Sequence, residues 1–454
     1  MRTNVADANE TPFDVIVIGG GPAGLMASIF ARTAGARTLL LEKGNKLGRK
    51  LGISGGGRCN VTNAKPLPEL MENIPGNSRF LYSALTRFSN TDIMAFFERL
   101  GIRLKEEDRG RVFPVSDKAS TVVQALVRHV QEVGVEIRLD CPVRRLLYDE
   151  HRVTGVLLSS GERLQAKAVV VAAGGCSVPK TGSTGDAYPW ARAAGHTIVE
   201  PYPTEVPLTS EEPFIRKRLL QGLSLQGVDI TLRDGKKALT TEFGDMIFTH
   251  FGLSGPAALR CSHYVSTRLR KVPQAELTAY IRTLPSMDGE ACLAWLRNTR
   301  FADRRRQLKT VLLHKLPERL VDVILARAGV DAACQMANLS NETLAQLSSF
   351  ITAFPVRISG TLPLAQATVT GGGVSVREID PKTMASKRKA GLYFAGEVMD
   401  VHAHTGGYNI TVAFSTGSCA GLSAALHALS HDTAPGRTIP AGSLDSGEIS
   451  VPTD

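Results

Sequence analysis

The sequence predicts an α/β fold in which a Rossmann-like parallel sheet is split by a long insertion. Three observations lead there. A β-branched run, Phe13 to Ile18, feeds the glycine turn Gly19-x-Gly21-x-x-Gly24 and then a helical stretch. A second run of the buried-strand kind, "AVVVAAGG", lies at Ala168–Gly175. The same character returns late in the chain, in "GLYFAGEVMD" and "TGGYNITVAFS", after a long region of different composition.

Phe13–Ile18 has the form of a strand buried on both faces. Pro22 suits a first helical turn, where a missing N–H costs nothing. Leu25 to Ala34 reads as the helix, Gly35 as its stop, and Arg37 to Leu41 as the second strand. Helices are expected near Arg79–Arg87, Thr91–Leu100 and Lys118–Val133. Short strands are expected at Val135–Leu139, Arg144–Tyr148 and Val153–Leu158. From about Glu200 the chain turns Pro-rich, then strand-like, then helical from about Glu290 to Ile351; the first pattern resumes near Ala367. These shifts predict one domain in two parts, 12–199 and 361–429, with 200–360 inserted as a second domain. The tail, 430–454, is rich in Ser, Pro, Gly and acids and reads as disordered.

Composition narrows the class. The 454 residues carry a net charge of +10, placed on the body of the chain because the tail is acidic. A basic surface admits a polyanionic partner without establishing one. The polar start has no basic and apolar pair of regions like a secretory signal. No apolar run approaches the ~18 residues of a membrane span. The seven cysteines are scattered, with no CxxC pair. That predicts reduced thiols in a cytoplasm, no metal site and no membrane association.

Glycines spaced as Gly19, Gly21 and Gly24 allow a tight turn, close approach to a pyrophosphate and close helix–strand packing. The helix N-terminus then supplies N–H groups and partial positive charge. Glu42 ends the second strand 18 residues past Gly24, where a carboxylate can accept from a ribose diol. Strand, helix and acid in register make a dinucleotide site. A strand ending at Gly396-Glu397 and a helix starting near Tyr408–Asn409 would face a flavin, the latter with its positive end at the N1/O2 edge. "SGGGRCNVTN" (Ser54–Asn63) follows where the chain must pass the cofactor's middle. Its consecutive N–H groups can form an anion-binding nest, with charge added by Arg49, Lys50 and Arg58. Cys59 and Asn60 can approach the flavin ring, or Cys59 is a small buried thiol.

These motifs, with "GRVFP" (Gly110–Pro114), "TGSTGDAY" (Thr181–Tyr188), "FTHFGLSGPA" (Phe248–Ala257), "TVTGGGVS" (Thr368–Ser375), "TMASK" (Thr383–Lys387) and "VHAHTGGYNIT" (Val401–Thr411), resemble those of the bacterial BaiN/YhiN-type flavoproteins. The resemblance spans about residues 12–428. It implies a FAD domain of the glutathione-reductase type, interrupted by a β-barrel-like substrate domain with a helical subdomain at about 285–352. It implies two activities known in different members. One is reduction of a uridine to dihydrouridine in large-subunit ribosomal RNA, with FAD and NADH. The other is amine oxidation of the aminoacetone-oxidase kind, and some members are assigned bile-acid chemistry. A flavin-bearing RNA-binding or assembly factor without turnover is a further alternative. The matching positions carry FAD contacts onto Gly19, Gly21, Ala23, Gly24, Glu42, Lys43, Arg49, Ser54, Gly55, Gly56, Gly57, Arg58, Cys59, Asn60, Val143, Ala173, Gly174, Gly396, Glu397, Gly407, Tyr408, Asn409 and Ile410.

No second glycine fingerprint follows within 120–330, so NADH or NADPH is expected to dock only transiently, or the substrate itself is the reductant. Hydride reduction of a C=C bond also needs a proton donor. His250 and Cys59 lead the candidates, with His402, His404 and Tyr408 behind them. In "RNTRFADRRRQLK" (Arg297–Lys309) six basic residues stand against one acid. At helical spacing Arg297, Arg300 and Arg304 share one face, and Arg305 and Lys309 the next. With Arg306 they are expected either to contact RNA phosphates or to form a solvated face. Oligomeric state is not legible.

Overall fold

The computed structural model describes residues 12–430. The expected disordered tail lies outside them except for Ser430, which ends a helix.

The first sheet has a parallel centre. Strand Phe13–Ile18 pairs on one side with Thr38–Leu41, which pairs in turn with Glu136–Arg138, and on the other side with Arg163–Val171. The long strand Arg163–Val171 serves two neighbours. Its last residues pair in parallel with Leu392–Phe394, bringing the far end of the chain into the sheet. Its first residues pair antiparallel with Val153–Leu158, which continues to Val143–Tyr148. The central strand is buried because helices cover both sheet faces, so its alternation is lost and every position but Asp14, which pairs with Lys167, is apolar.

The helix Pro22–Thr33 leaves the first strand, and the helix Tyr408–Ser430 packs across it. The approach is close because Gly417 and Gly421 lack a Cβ. One built there would stand 2.3 Å from Ala23 O and 2.1 Å from Ala27 O. Tyr408–Ser430 has the length and apolar composition of a membrane span. Its burial against the fingerprint helix makes it a core helix.

Strands Ile198–Thr204 and Val369–Val374 run antiparallel beside each other, and the chain between them builds a second core. Its seven-stranded sheet is antiparallel throughout, running from Phe354–Ile358 through Leu277–Ile281, Ser224–Asp234, Lys237–Phe248, Gly252–Ser254 and Leu208–Thr209 to Gly360–Thr361. The two outer strands are separated only by Ser359, so the edges of the sheet meet and it curls into a barrel-like form. Four helices, Gly289–Ala302, Leu308–Leu313, Glu318–Ala328 and Asn341–Thr352, close this core.

The basic run does not form one helix. Gly289–Ala302 ends before Asp303, and the next helix starts at Leu308. Arg304, Arg305 and Arg306 therefore lie in a turn, and the expected helical faces do not exist. Arg300 donates to Leu339 O and Asn341 Oδ1, each at 2.8 Å. Arg306 pairs with Asp303, and Lys309 with Glu318 and Asp322. Arg297, Arg304 and Arg305 are exposed.

Candidate active site

A cavity of about 1120 Å³ runs from the glycine turn to the second sheet. That exceeds the ~300–1,000 Å³ of an ordinary small-molecule pocket and leaves room for a dinucleotide with a substrate beside it.

The glycine turn forms one end. Gly19 has φ +107, and a Cβ there would meet Ala172 O at 2.5 Å. A Cβ on Gly24 would stand 1.8 Å from Gly19 O. These two glycines let strand and helix close on each other. Gly21 is different: its φ of −81 suits any residue, it has nothing within 4 Å of a built Cβ, and it lines the cavity. The helix begins with Pro22 and has no side-chain cap or acid in its first turn, so its N–H groups and positive end face the cavity. Glu42 holds the turn, accepting from Gly20 N at 2.7 Å and Gly44 N at 2.8 Å. Lys43 pairs with Asp186 at 2.5 Å, and Arg49 donates to Asn45. Val143, Ala173 and Gly174 complete this wall.

Ser54–Gly57 forms a 3-10 turn after the short helix Arg49–Ile53, an element its glycine-rich surroundings hide from periodicity. Gly55, Gly56 and Gly57 have φ of 57, 68 and 87, and Cys59 follows at 63. A Cβ on Gly56 would enter open space. Asn60 presents a buried Oδ1 with no hydrogen-bond partner among the described residues, on the cavity wall. Arg58 lines the cavity too, but its guanidinium is committed to Glu107 and Asp117 and lies 4.1 Å over the Phe113 ring. It is a wall, not a free anion contact.

At the other end Gly396 (φ 73) turns the chain after Leu392–Phe394. Glu397 then accepts from Thr370 N at 2.7 Å and Ser177 Oγ at 2.9 Å, and pairs with Lys50 at 2.6 Å. Burial pushes its carboxyl up, but Lys50 and the donated hydrogen bonds outweigh this and hold it below its ordinary value. Gly407 (φ 97) passes so close to Thr62 that a Cβ would stand 2.4 Å from its carbonyl oxygen. Asn409 ties the turn, accepting from Ala403 N and donating to Ala403 O. Gly407, Tyr408, Asn409 and Ile410 thereby bring a second helix N-terminus to the cavity. Burial pushes the Tyr408 phenol up to about 12.

Three of the expected contacts, Gly24, Gly57 and Cys59, do not line the cavity, while the others do. Cys59 is 0% exposed, and burial pushes its thiol up to about 12. His250 is also displaced from the expected place. It sits exposed in the turn Thr249–Phe251, its ring against Phe251, away from the cavity lining. His402 and His404 are buried behind the lining: His402 Nε2 bonds His263 Nδ1 at 2.8 Å, and His404 Nδ1 bonds Glu205 Oε1 at 3.0 Å. Of the five acid/base candidates only Tyr408 faces the cavity. Lining residues that sequence reasoning missed include Asn63, Arg109, Arg111, Phe243, Arg260 and Thr368. Arg111 stands in "GRVFP", a quoted motif given no role; isolated Phe243 carries no signal at all.

The cradle a side chain at Gly21 would fill, the uncapped helix ends and the unpartnered Asn60 oxygen all fit FAD. Fold and site together define a FAD-dependent oxidoreductase. The chain belongs to the HI0933-like Rossmann family, whose model matches residues 13–423. It is 35% identical to the ribosomal RNA dihydrouridine synthase of Escherichia coli K12, over 89% of this chain and 96% of that one. It is 29% identical to a 3-dehydro-bile acid delta(4,6)-reductase of Clostridium scindens, over 90% of this chain and 98% of that one. Among solved structures, a 3-ketosteroid delta1-dehydrogenase of Sterolibacterium denitrificans matches with a TM-score of 0.50 at 13% identity, covering 92% of this chain and 100% of that one.

Proposed function

We propose that this enzyme reduces a uridine of large-subunit ribosomal RNA to dihydrouridine in the cytoplasm, with NADH or NADPH as the electron donor. The observation that carries this is the 35% identity, over 89% of this chain, with a synthase of that name. A second relative named as a reductase favours reduction over amine oxidation. Uracil must gain a hydride at one carbon of its C5=C6 bond and a proton at the other. Bound FAD supplies the hydride chemistry. The glycine turn and the fingerprint helix would hold its pyrophosphate, and Lys50 and Glu397 fix the wall between the two ends. The helix N-terminus at Tyr408 stabilises negative charge beside it. Tyr408 holds the proton at its Oη. Residues 200–360, as an inserted domain, select the substrate.

Dihydrouridine mapping in ribosomal RNA from a deletion strain tests the proposal. One uridine-derived position should lose its modification and regain it when the gene is restored. An unchanged map, with a purified protein that oxidises small amines, sinks it.

Two smaller effects are expected. With one glycine fingerprint and a second sheet that is antiparallel, the donor has no dedicated fold. Anaerobic stopped-flow reduction by NADH should need concentrations far above the low micromolar range to saturate; tight saturation contradicts this. Within the basic run, Arg297, Arg304 and Arg305 are exposed and have no ion pair among the described residues. Replacing all three with Ala should lower the salt slope of RNA binding by up to ~0.9 per lost contact on duplex, or ~0.7 on single strands. FAD content should not change. An unaltered slope makes the turn a solvated surface.

A further inference from the structure

The cavity lining carries a ring and a guanidinium, Phe243 and Arg109, that are not among the expected FAD contacts. Phe243 lines the cavity yet is 53% exposed. It stands on strand Lys237–Phe248 of the second sheet. Arg109 reaches it from the other core, out of the turn Asp108–Gly110, with its guanidinium carbon 5.6 Å from the ring centre. Both are held by their backbones. Asn63 Nδ2 donates to Arg109 O at 3.1 Å and to Gly406 O at 2.9 Å, which ties that turn to the loop entering Tyr408. On the opposite side Arg260 donates to Glu242 at 3.1 Å and to Phe243 O. Between them Gly244 leaves room: a Cβ there would lie 3.2 Å from Arg109 Nη1. Arg58, Arg111 and Arg260 each have a carboxylate partner, whereas Arg109 has no ion pair among the described residues.

We propose that Phe243 and Arg109 form a clamp for one nucleotide at the entrance, the ring stacking on its base and the guanidinium taking the adjoining phosphate. It rests on the ribosomal RNA reading above. An exposed aromatic face accepts any base by stacking, and a planar guanidinium matches a phosphate with two parallel hydrogen bonds. Reduction requires the target base to leave its stack and lie against the flavin. A clamp at the mouth holds a neighbouring nucleotide while that base enters.

The test uses FAD-loaded Phe243→Ala, Phe243→Trp and Arg109→Gln proteins. Oligouridylate binding is measured against salt, and dihydrouridine is measured in ribosomal RNA from the deletion strain. Phe243→Ala should weaken binding about five- to a hundredfold, and Phe243→Trp should retain it. Arg109→Gln should lower the salt slope by ~0.7. Flavin content and thermal midpoint should match wild type in all three, which separates loss of the clamp from unfolding. If wild type forms dihydrouridine and the Ala and Gln variants equal it in binding and yield, the clamp is wrong and the RNA reading stands. If wild type neither binds nor modifies RNA, the reading fails and takes the clamp with it.

Discussion

Gly21→Val should yield a folded, colourless protein. The backbone at Gly21, φ −81 and ψ −178, is one that valine adopts readily, and a Cβ there meets nothing within 4 Å. The apo fold therefore has no reason to change. The new side chain would project into the cavity beside the helix N-terminus, where the pyrophosphate is expected. Each hydrogen bond to a charged oxygen that is lost there costs about 1.5–3 kcal/mol, roughly 10–10² in affinity. Gly52→Ala is the control, because its Cβ also meets open space but Gly52 does not line the cavity. Flavin absorbance per protein and the thermal midpoint are the two readouts. A yellow Gly21→Val protein would refute the placement of the cofactor. Gly24→Val cannot serve, since its Cβ would collide with Gly19 O at 1.8 Å and break the turn itself.

Tyr408→Phe should cut turnover by about 10²–10⁴ while keeping FAD, the range lost with a general acid. Phenylalanine preserves the ring and its packing and removes only the proton. Burial raises the phenol to about 12, so the protonated form persists as pH rises and is lost only towards that value. The wild-type rate should accordingly show no loss from this group between about pH 6 and 9. Cys59→Ala should stay within a few-fold of wild type, because its thiol is buried behind the lining. Single-turnover oxidation of reduced enzyme by substrate RNA, followed by flavin absorbance, isolates this step. The opposite pattern, with Cys59→Ala dead and Tyr408→Phe active, overturns the assignment.

What the sequence showed was mostly local. Phe13–Ile18 is a strand over those same residues, and the fingerprint helix starts where Pro22 permits it. The glycines of the motif stand in different surroundings: Gly19 and Gly24 fit strand to helix, and Gly21 opens onto the cavity. The basic run misled. Spacing alone extends a helix through Asp303, whereas the chain turns there and spends half its cations on Leu339, Asn341, Asp303, Glu318 and Asp322. His250 lies within a quoted motif, yet membership says nothing about which way a turn points. The late strand and helix could be placed beside the glycine turn, but individual long-range side-chain contacts were out of reach. Glu205 accepts from Thr405 N at 2.8 Å across 200 positions, with no repeating signal at either place.

The crossing of the fingerprint helix by Tyr408–Ser430 has a consequence for how the protein is made. The ribosome delivers the glycine turn first and its packing partner almost four hundred residues later. Until the late helix emerges, Ala23 and Ala27 have no cover, and the edge of Arg163–Val171 awaiting Leu392–Phe394 is open. Cofactor loading must wait for the end of translation, and a nascent chain stalled before about residue 410 exposes apolar surface that FAD cannot protect. Premature stop codons late in the gene should therefore yield insoluble chains, not soluble apoprotein.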